Sequence, residues 1–85
     1  MVTRRDFKVE LEAQIDRARR QGRPHIDINS GELHRILGNY PNSDNHNMPD
    51  CCTVMRLYIQ SNDIVIFEPP QGADASLTIR YSLPR

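Results

Sequence analysis

The side chains that could carry out chemistry in this chain are concentrated between residues 33 and 55. This stretch holds two of the three histidines, both cysteines, two of the three methionines and several asparagines. Thiolates and imidazoles bind metal ions or act as nucleophile and base, whereas Asn and Arg side chains contact the bases of nucleic acids. What this cluster can do depends on the elements that position it.

A zinc site is the first chemistry to consider, because Cys51 and Cys52 lie near His34 and His46 in the sequence. Structural zinc sites use separated pairs such as C-x₂-C, and neighbouring side chains on a helix diverge by about 100°. Two adjacent cysteines therefore do not easily face one ion, and we predict no metal and no cofactor. Cys51 is expected to be a small buried hydrophobe, and Cys52 is expected to be partly exposed.

Nucleophilic catalysis is the second chemistry to consider. A cysteine near the first turn of a helix can have a lowered pKa, and His34 or His46 could act as its base. However, the sequence has no paired carboxylates set for acid–base work and no obvious oxyanion loop. The sequence therefore predicts that the protein is not an enzyme.

Length and composition predict one soluble domain over residues 1–85. The chain is 38% hydrophobic and 26% charged, which is ordinary for a globular protein. No apolar run approaches the ~20 residues of a membrane helix, and the charged start of the chain lacks a secretory apolar segment. Two adjacent cysteines do not form a disulfide framework. These features predict a cytoplasmic protein that does not associate with membranes.

The formal net charge of zero is unevenly distributed along the chain. Residues 1–37 hold eight Lys/Arg and six Asp/Glu, whereas residues 38–85 hold three Lys/Arg and five Asp/Glu. Nonspecific binding to nucleic acid draws on contacts between Lys/Arg and phosphates. This balance is a mild argument against strong DNA binding.

Hydrophobic periodicity predicts a helix, a strand and a second helix in the first half of the chain. The first helix begins near Thr3, ends before Gly22 and has four residues on its apolar face: Phe7, Leu11, Ile15 and Ala18. A half-buried strand is predicted over residues 25–29, because polar and apolar residues alternate there. A short helix then begins at Ser30 as a cap and ends at Gly38.

A third helix and a hairpin are predicted in the second half. The helix covers residues 49–60 with an apolar stripe of Cys51, Val54, Met55, Tyr58 and Ile59. Two strands, over residues 64–67 and 76–83, flank a Pro/Gly-containing tip at residues 69–74. In the second of these strands, one side is predicted to carry Leu77, Ile79, Tyr81 and Leu83.

The predicted order of helix, strand, helix, helix, strand, strand indicates an α+β fold that is winged-helix-like, with a C-terminal β-hairpin wing. In such a fold the third helix enters the major groove of DNA, and the wing tip reaches an adjacent groove or the backbone. The candidate contact residues are Arg35, Asn45, His46, Asn47, Cys52, Thr53, Arg56 and Gln60.

Two functions remain open at this point. The first is a DNA-binding or DNA-associated accessory protein that contacts double-stranded DNA. Against it, the connection from Gly38 to Met48 is longer than a helix-turn-helix turn, and the wing tip has no Lys or Arg. The alternative is a protein–protein interaction module that uses the same helix and hairpin surface, or that adds a strand to an exposed edge. The sequence does not indicate an oligomeric state.

Five segments of this chain resemble a family of small bacterial proteins to which no activity is attached. The matching segments are Ser30–Arg35, Gly38–Pro41, His46–Met55, Pro69-Pro70 and Leu77–Tyr81. The shared core has the form Leu-His-Arg, then Gly-x-Tyr-Pro, then His-x-Met-Pro-x-Cys-Cys-x-Val-Met. Such sequences occur near genes for HNH nucleases and restriction enzymes, so the resemblance implies an accessory role with DNA-acting enzymes. It assigns no role to any individual residue.

Overall fold

The computed structural model describes residues 3–38, 48–70 and 75–84. Within these ranges the elements are α1 (Arg4–Arg20), β1 (His25–Asn29), α2 (Ser30–Gly38), α3 (Met48–Leu57), β2 (Ile64–Phe67) and β3 (Thr78–Ser82). The predicted α+β class is confirmed, with a three-stranded antiparallel sheet. Four predicted features lie outside the described residues: Asn45, His46, Asn47 and the wing tip at residues 71–74.

Helix α1 begins and ends as its sequence predicts. The Thr3 hydroxyl accepts a hydrogen bond from the Asp6 backbone N–H, and the Asp6 carboxylate accepts one from the Thr3 N–H at 2.9 Å. This reciprocal box satisfies two of the N–H groups that a helix leaves unpaired at its start. At the other end, Gly22 takes the left-handed conformation (φ 74°), which glycine adopts without steric cost. All four residues of the predicted apolar face are buried: Phe7, Leu11, Ile15 and Ala18.

Strand β3 lies in the centre of the sheet, between β1 and β2. Ile79 pairs with Ile28 of β1, and the predicted alternation along β3 is confirmed because Ile79 and Tyr81 are fully buried. On the opposite face, Arg80 donates two hydrogen bonds to the Asp27 carboxylate of β1, at 2.8 and 3.1 Å. These bonds lower the pKa of the Asp27 carboxyl below its usual value. The sheet therefore has an apolar face on the core and a polar face bearing this ion pair.

The core lies between the apolar face of the sheet and the three helices. Helix α3 contacts both α1 and α2. The Tyr81 hydroxyl crosses the core and donates to the Met55 carbonyl at 2.8 Å, which satisfies a carbonyl in the last turn of α3. On α2, His34 is fully buried, and its ring packs against Phe7 with centroids 5.3 Å apart.

Helix α3 is shorter than predicted, because it ends at Leu57 rather than at residue 60. Its last turn tightens, and the Ile59 N–H bonds to the carbonyl of Arg56, three residues back. The predicted apolar stripe is therefore confirmed for Cys51, Val54 and Met55, and Tyr58 is partly buried against the core. It is not confirmed for Ile59, which is exposed. A stripe continues only as far as the helical geometry does.

The predicted hairpin is confirmed by the antiparallel pairing of β2 with β3. The register shifts between Val65 and Phe67, so that Ile66 is an extra residue on the β2 side. Such a bulge bends the strand and increases its twist locally. Among the described residues, no helix combines the length and the apolar character needed to cross a lipid bilayer.

Candidate interaction surface

Strand β2 is an edge strand whose four residues are all exposed and all apolar. We call this strand, Ile64–Phe67, the apolar edge. Within the described ranges it pairs with β3 alone, so its other side presents backbone N–H and C=O groups. An edge with unpaired backbone groups is a template on which another strand can pair.

The apolar edge presents hydrophobic side chains on both faces of the sheet. Ile64 pairs with Arg80 and Phe67 pairs with Thr78, so these two side chains lie on the face away from the helices, because paired residues share a face. Val65 pairs with Ile79 and lies on the helix-facing side. A partner strand at this edge would therefore meet apolar side chains above and below its backbone.

Exposed hydrophobic side chains are concentrated in the segment of the chain that runs from the end of α3 through this edge. Of the eight large hydrophobic side chains that are exposed in the described ranges, six lie between residues 57 and 67: Leu57, Ile59, Ile64, Val65, Ile66 and Phe67. Scattered exposed hydrophobes are normal, whereas a concentration of them marks a contact surface. The segment 57–67 is therefore the first place to look for a partner.

Acidic residues bound the apolar edge at both ends. After the strand, the Glu68 carboxylate accepts a hydrogen bond from Arg56 at 2.7 Å, which raises the pKa of the Arg56 guanidinium above its usual value. Before the strand, the Asp63 carboxylate accepts bonds from the backbone N–H groups of Gln60 and Ser82, both at 2.8 Å. These bonds hold the two ends of the strand in place.

The structure distributes the predicted contact residues over several environments. Arg35 is exposed on α2 and forms an ion pair with Glu32. Thr53 and Arg56 are half-buried on α3, and Arg56 is engaged by Glu68. Gln60 is exposed, but it lies in the turn after α3 and not on the helix as predicted, because the helix ends three residues earlier.

Cys52 was predicted to be partly exposed and to belong to the contact surface, and this prediction is wrong. Its exposed fraction is 2%. Because α3 packs against both α1 and α2, its buried arc is wider than the single stripe that Cys51 and Met55 define. Cys52 belongs to the hydrophobic core.

The lowered pKa considered for a cysteine at the start of α3 does not occur at Cys51. Burial, followed by the neighbouring Cys52, raises the pKa of the Cys51 thiol to about 12. The thiol donates a hydrogen bond to the Ser30 carbonyl at 3.5 Å. At neutral pH Cys51 is therefore a protonated core residue, and the thiolate needed for nucleophilic attack is absent.

Metal-ligating side chains do not converge in the part of the chain that the structure describes. No group of three or more His, Cys, Asp or Glu side chains there could hold an ion. His34 and Cys52 are both buried, while His46 lies outside the described residues.

The exposure of the apolar edge is the feature that sequence reasoning missed. A continuous apolar run is typical of a strand buried on both faces, whereas β2 is exposed on both. The available signal was the contrast with β3, where polar and apolar residues alternate and the burial follows that alternation.

Comparison of the chain with protein-family models, with curated proteins and with solved structures finds no match. The resemblance to a family of small bacterial proteins stays a prediction.

Proposed function

We propose that this chain is a protein-interaction module that binds an extended segment of a partner protein along the apolar edge. The observation that carries the proposal is the exposure of four consecutive apolar residues on a strand that, among the described residues, is paired on one side only. Natural proteins protect such edges with charges, prolines or covering elements. Within β2 itself, the feature that hinders pairing with another chain is the bulge at Ile66. We therefore expect a partner strand to pair along this edge.

The binding energy available at this edge fits a reversible contact. Full burial of one large aliphatic or aromatic side chain stabilises by about 1.5–3 kcal/mol. Each β2 side chain is already about half covered, so the four together offer about 3–6 kcal/mol. Backbone hydrogen bonds of an added strand contribute the rest, against the loss of translational and rotational freedom on association.

A partner of different sequence fits the edge better than a second copy of the chain does. Two β2 strands paired antiparallel with full apolar overlap would bring Glu68 of each copy beside Asp63 of the other. Like charges directly opposite each other on paired strands are destabilising. An apolar segment with Lys or Arg at its ends would instead place opposite charges at both positions.

Selection from a library of random peptides on the immobilised chain tests this function. We expect enriched peptides to contain a short apolar segment flanked by Lys or Arg. A synthetic peptide of the enriched sequence should slow amide hydrogen exchange in β2. The double substitution Ile64→Lys/Phe67→Lys should weaken its binding by about tenfold or more, since a loss of about 1.4 kcal/mol suffices for that factor.

Ile36→Lys is the matched control for this experiment. Ile36 is 57% exposed and Ile64 is 55% exposed, but Ile36 lies on α2, beside Ile26 of the opposite edge strand. Equal binding of the peptide by the Ile64→Lys/Phe67→Lys chain would contradict the proposal. So would sedimentation of the unsubstituted chain as a dimer that the double substitution dissociates, because the occupant of the edge would then be a second copy.

A winged-helix-like, DNA-contacting role is the second candidate function. Its support is the succession of α2, α3 and the β2–β3 hairpin, together with the ion pair that joins Arg56 of α3 to Glu68 at the hairpin. It ranks second because Arg35 and Arg56 are both engaged by carboxylates, and because the hairpin strand β2 presents apolar side chains.

Titration of a fluorescent DNA duplex at several salt concentrations tests the second candidate. If Arg35 and Arg56 contact phosphates, Arg35→Ala and Arg56→Ala should each weaken binding and reduce the log–log salt slope by about 1. Glu68→Gln should strengthen binding, because it releases Arg56 from its carboxylate. Unchanged affinity in both arginine variants would exclude this surface as the DNA contact.

A further inference from the structure

A shallow groove of about 740 Å³ runs between α1 and α3, and it uses no residue of the apolar edge. Its two sides carry the most exposed hydrophobic side chains of these helices, Val9 on α1 and Leu57 on α3. Leu57 is 77% exposed, although it stands only two residues after the fully buried Met55. Tyr58 also lines the groove, and its hydroxyl donates to the Glu12 carboxylate at 3.1 Å.

Positive charge follows the α1 side of this groove. Arg4, Arg5 and Lys8 all line it. Arg4 is bound to Asp50 at 2.8 Å, but Arg5 and Lys8 form no ion pair with any residue in the described ranges. Glu12 is the acidic residue of the lining. The groove therefore combines apolar side chains on both walls with two cations, Arg5 and Lys8, that form no ion pair within the described ranges.

We propose that this groove binds an amphipathic helix of a partner protein, with acidic residues beside its apolar face. Two neighbouring helices form a groove into which the side-chain ridges of a third helix fit, and an amphipathic helix lies in such a groove with its apolar face inward. Its apolar side chains would pack between Val9 and Leu57, and its carboxylates would reach Arg5 and Lys8. The exposed Val9 and Leu57 favour a peptide over nucleic acid, because they offer nothing to a phosphate.

Two designed peptides of about 18 residues, or five helical turns, test this inference on the full chain. Both carry the same Leu face at i, i+3, i+4 and i+7, with Glu beside it in one peptide and Lys in the other. We expect the Glu peptide to bind, to gain helicity on binding by circular dichroism, and to shift the NMR methyl signals of Val9 and Leu57. The Lys peptide should bind at least about tenfold more weakly, a difference of about 1.4 kcal/mol.

Charge reversal distinguishes specific recognition from nonspecific hydrophobic association. Arg5→Glu/Lys8→Glu should weaken the Glu peptide by about tenfold or more and strengthen the Lys peptide, because the complementarity is inverted. Leu57→Ser should weaken both peptides. Ile36→Ser, at another exposed hydrophobe of a helix, should change neither. All of these substitutions are at exposed positions, so folding is preserved.

Three results would overturn the inference: no binding of the Glu peptide, equal binding of the two peptides, or binding that Leu57→Ser leaves unchanged. Displacement of the Glu peptide by duplex DNA at stoichiometric concentration would assign the groove to nucleic acid instead. Concentration-dependent dimerisation that Leu57→Ser abolishes would assign it to a second copy. The Ile64→Lys/Phe67→Lys chain should bind the Glu peptide normally, so failure at the groove and failure at the apolar edge are distinguishable.

Discussion

Replacement of Phe7 by alanine is expected to lower the free energy of unfolding by about 3–5 kcal/mol. Phe7 is fully buried at the start of the apolar α1 face, and its ring packs against the buried ring of His34. The cavity left by the phenyl group would face both α2 and the rest of the core. Because an 85-residue domain has a total stability of about 4–13 kcal/mol, this one substitution removes a large fraction of it.

Urea denaturation followed by circular dichroism measures this effect as a lower transition midpoint with an unchanged slope. Val9→Ala is the control, because it shortens a side chain two residues further along the same helix that is exposed rather than buried. We expect this control to change stability by no more than about 0.5 kcal/mol. A loss below about 1.5 kcal/mol for Phe7→Ala would mean that the α1–α2 contact is looser than the structure has it.

Gly31→Ala is expected to destabilise the protein by about 1–3 kcal/mol, although alanine is the better helix former. In an ordinary exposed helical position the same change stabilises by about 1 kcal/mol. At Gly31, however, a Cβ atom would lie 2.8 Å from the carbonyl oxygen of Ala75 and 3.0 Å from its Cβ. The Gly31 N–H also donates to that carbonyl at 3.1 Å, so the two backbones must separate to admit the methyl group.

Thermal unfolding and amide exchange together test this second expectation. The Gly31→Ala chain should unfold at a lower temperature, and the amide of residue 31 should lose protection because its hydrogen bond to Ala75 is lengthened. Glu32→Ala is the control on the same helical turn, since the Glu32 side chain is exposed. A Gly31→Ala chain more stable than the unsubstituted one would show that helix propensity outweighs the close approach of the segment before β3.

Local rules predicted the elements that have one face on the core and the other face exposed. The start of α1 follows from Thr3 and Asp6, because a capping box is formed by residues three apart and needs nothing else. The buried face of α1 and the alternation along β3 follow from periodicity in the same way. In these places, sequence spacing and three-dimensional surroundings give the same answer.

Prediction failed where the surroundings are set by distant parts of the chain. Cys52 is buried because α3 packs against two other helices, which spacing within α3 does not reveal. The early end of α3 before Gln60 follows a tightened last turn that periodicity alone did not indicate. The exposure of β2 reflects the lack, within the described ranges, of a neighbouring strand on one side. Its apolar run without alternation is equally typical of a strand buried on both faces, so the sequence pattern did not reveal that exposure.

The candidate functional surfaces differ from the predicted site for a related reason. The reactive and metal-ligating residue types between positions 33 and 55 made a chemical site the first possibility to consider there, but His34, Cys51 and Cys52 are core residues. The surfaces that remain for function consist of ordinary aliphatic side chains, such as Leu57 and Ile64, in exposed places. Residue type indicates which side chains can react or bind metal, whereas only the fold shows which hydrophobic side chains are exposed to solvent.

The central position of β3 has a consequence for the order in which this protein can fold during synthesis. The residues of β1 and β2 leave the ribosome before those of β3. The two strands do not pair with each other, and each pairs with β3. Residues 25–29 and 64–67 therefore lack the strand they pair with until residues 78–82 have emerged, and a chain interrupted between β2 and β3 cannot form this sheet. During that interval the apolar β2 segment has no paired strand along either edge of its backbone, which makes the newly made chain prone to aggregation.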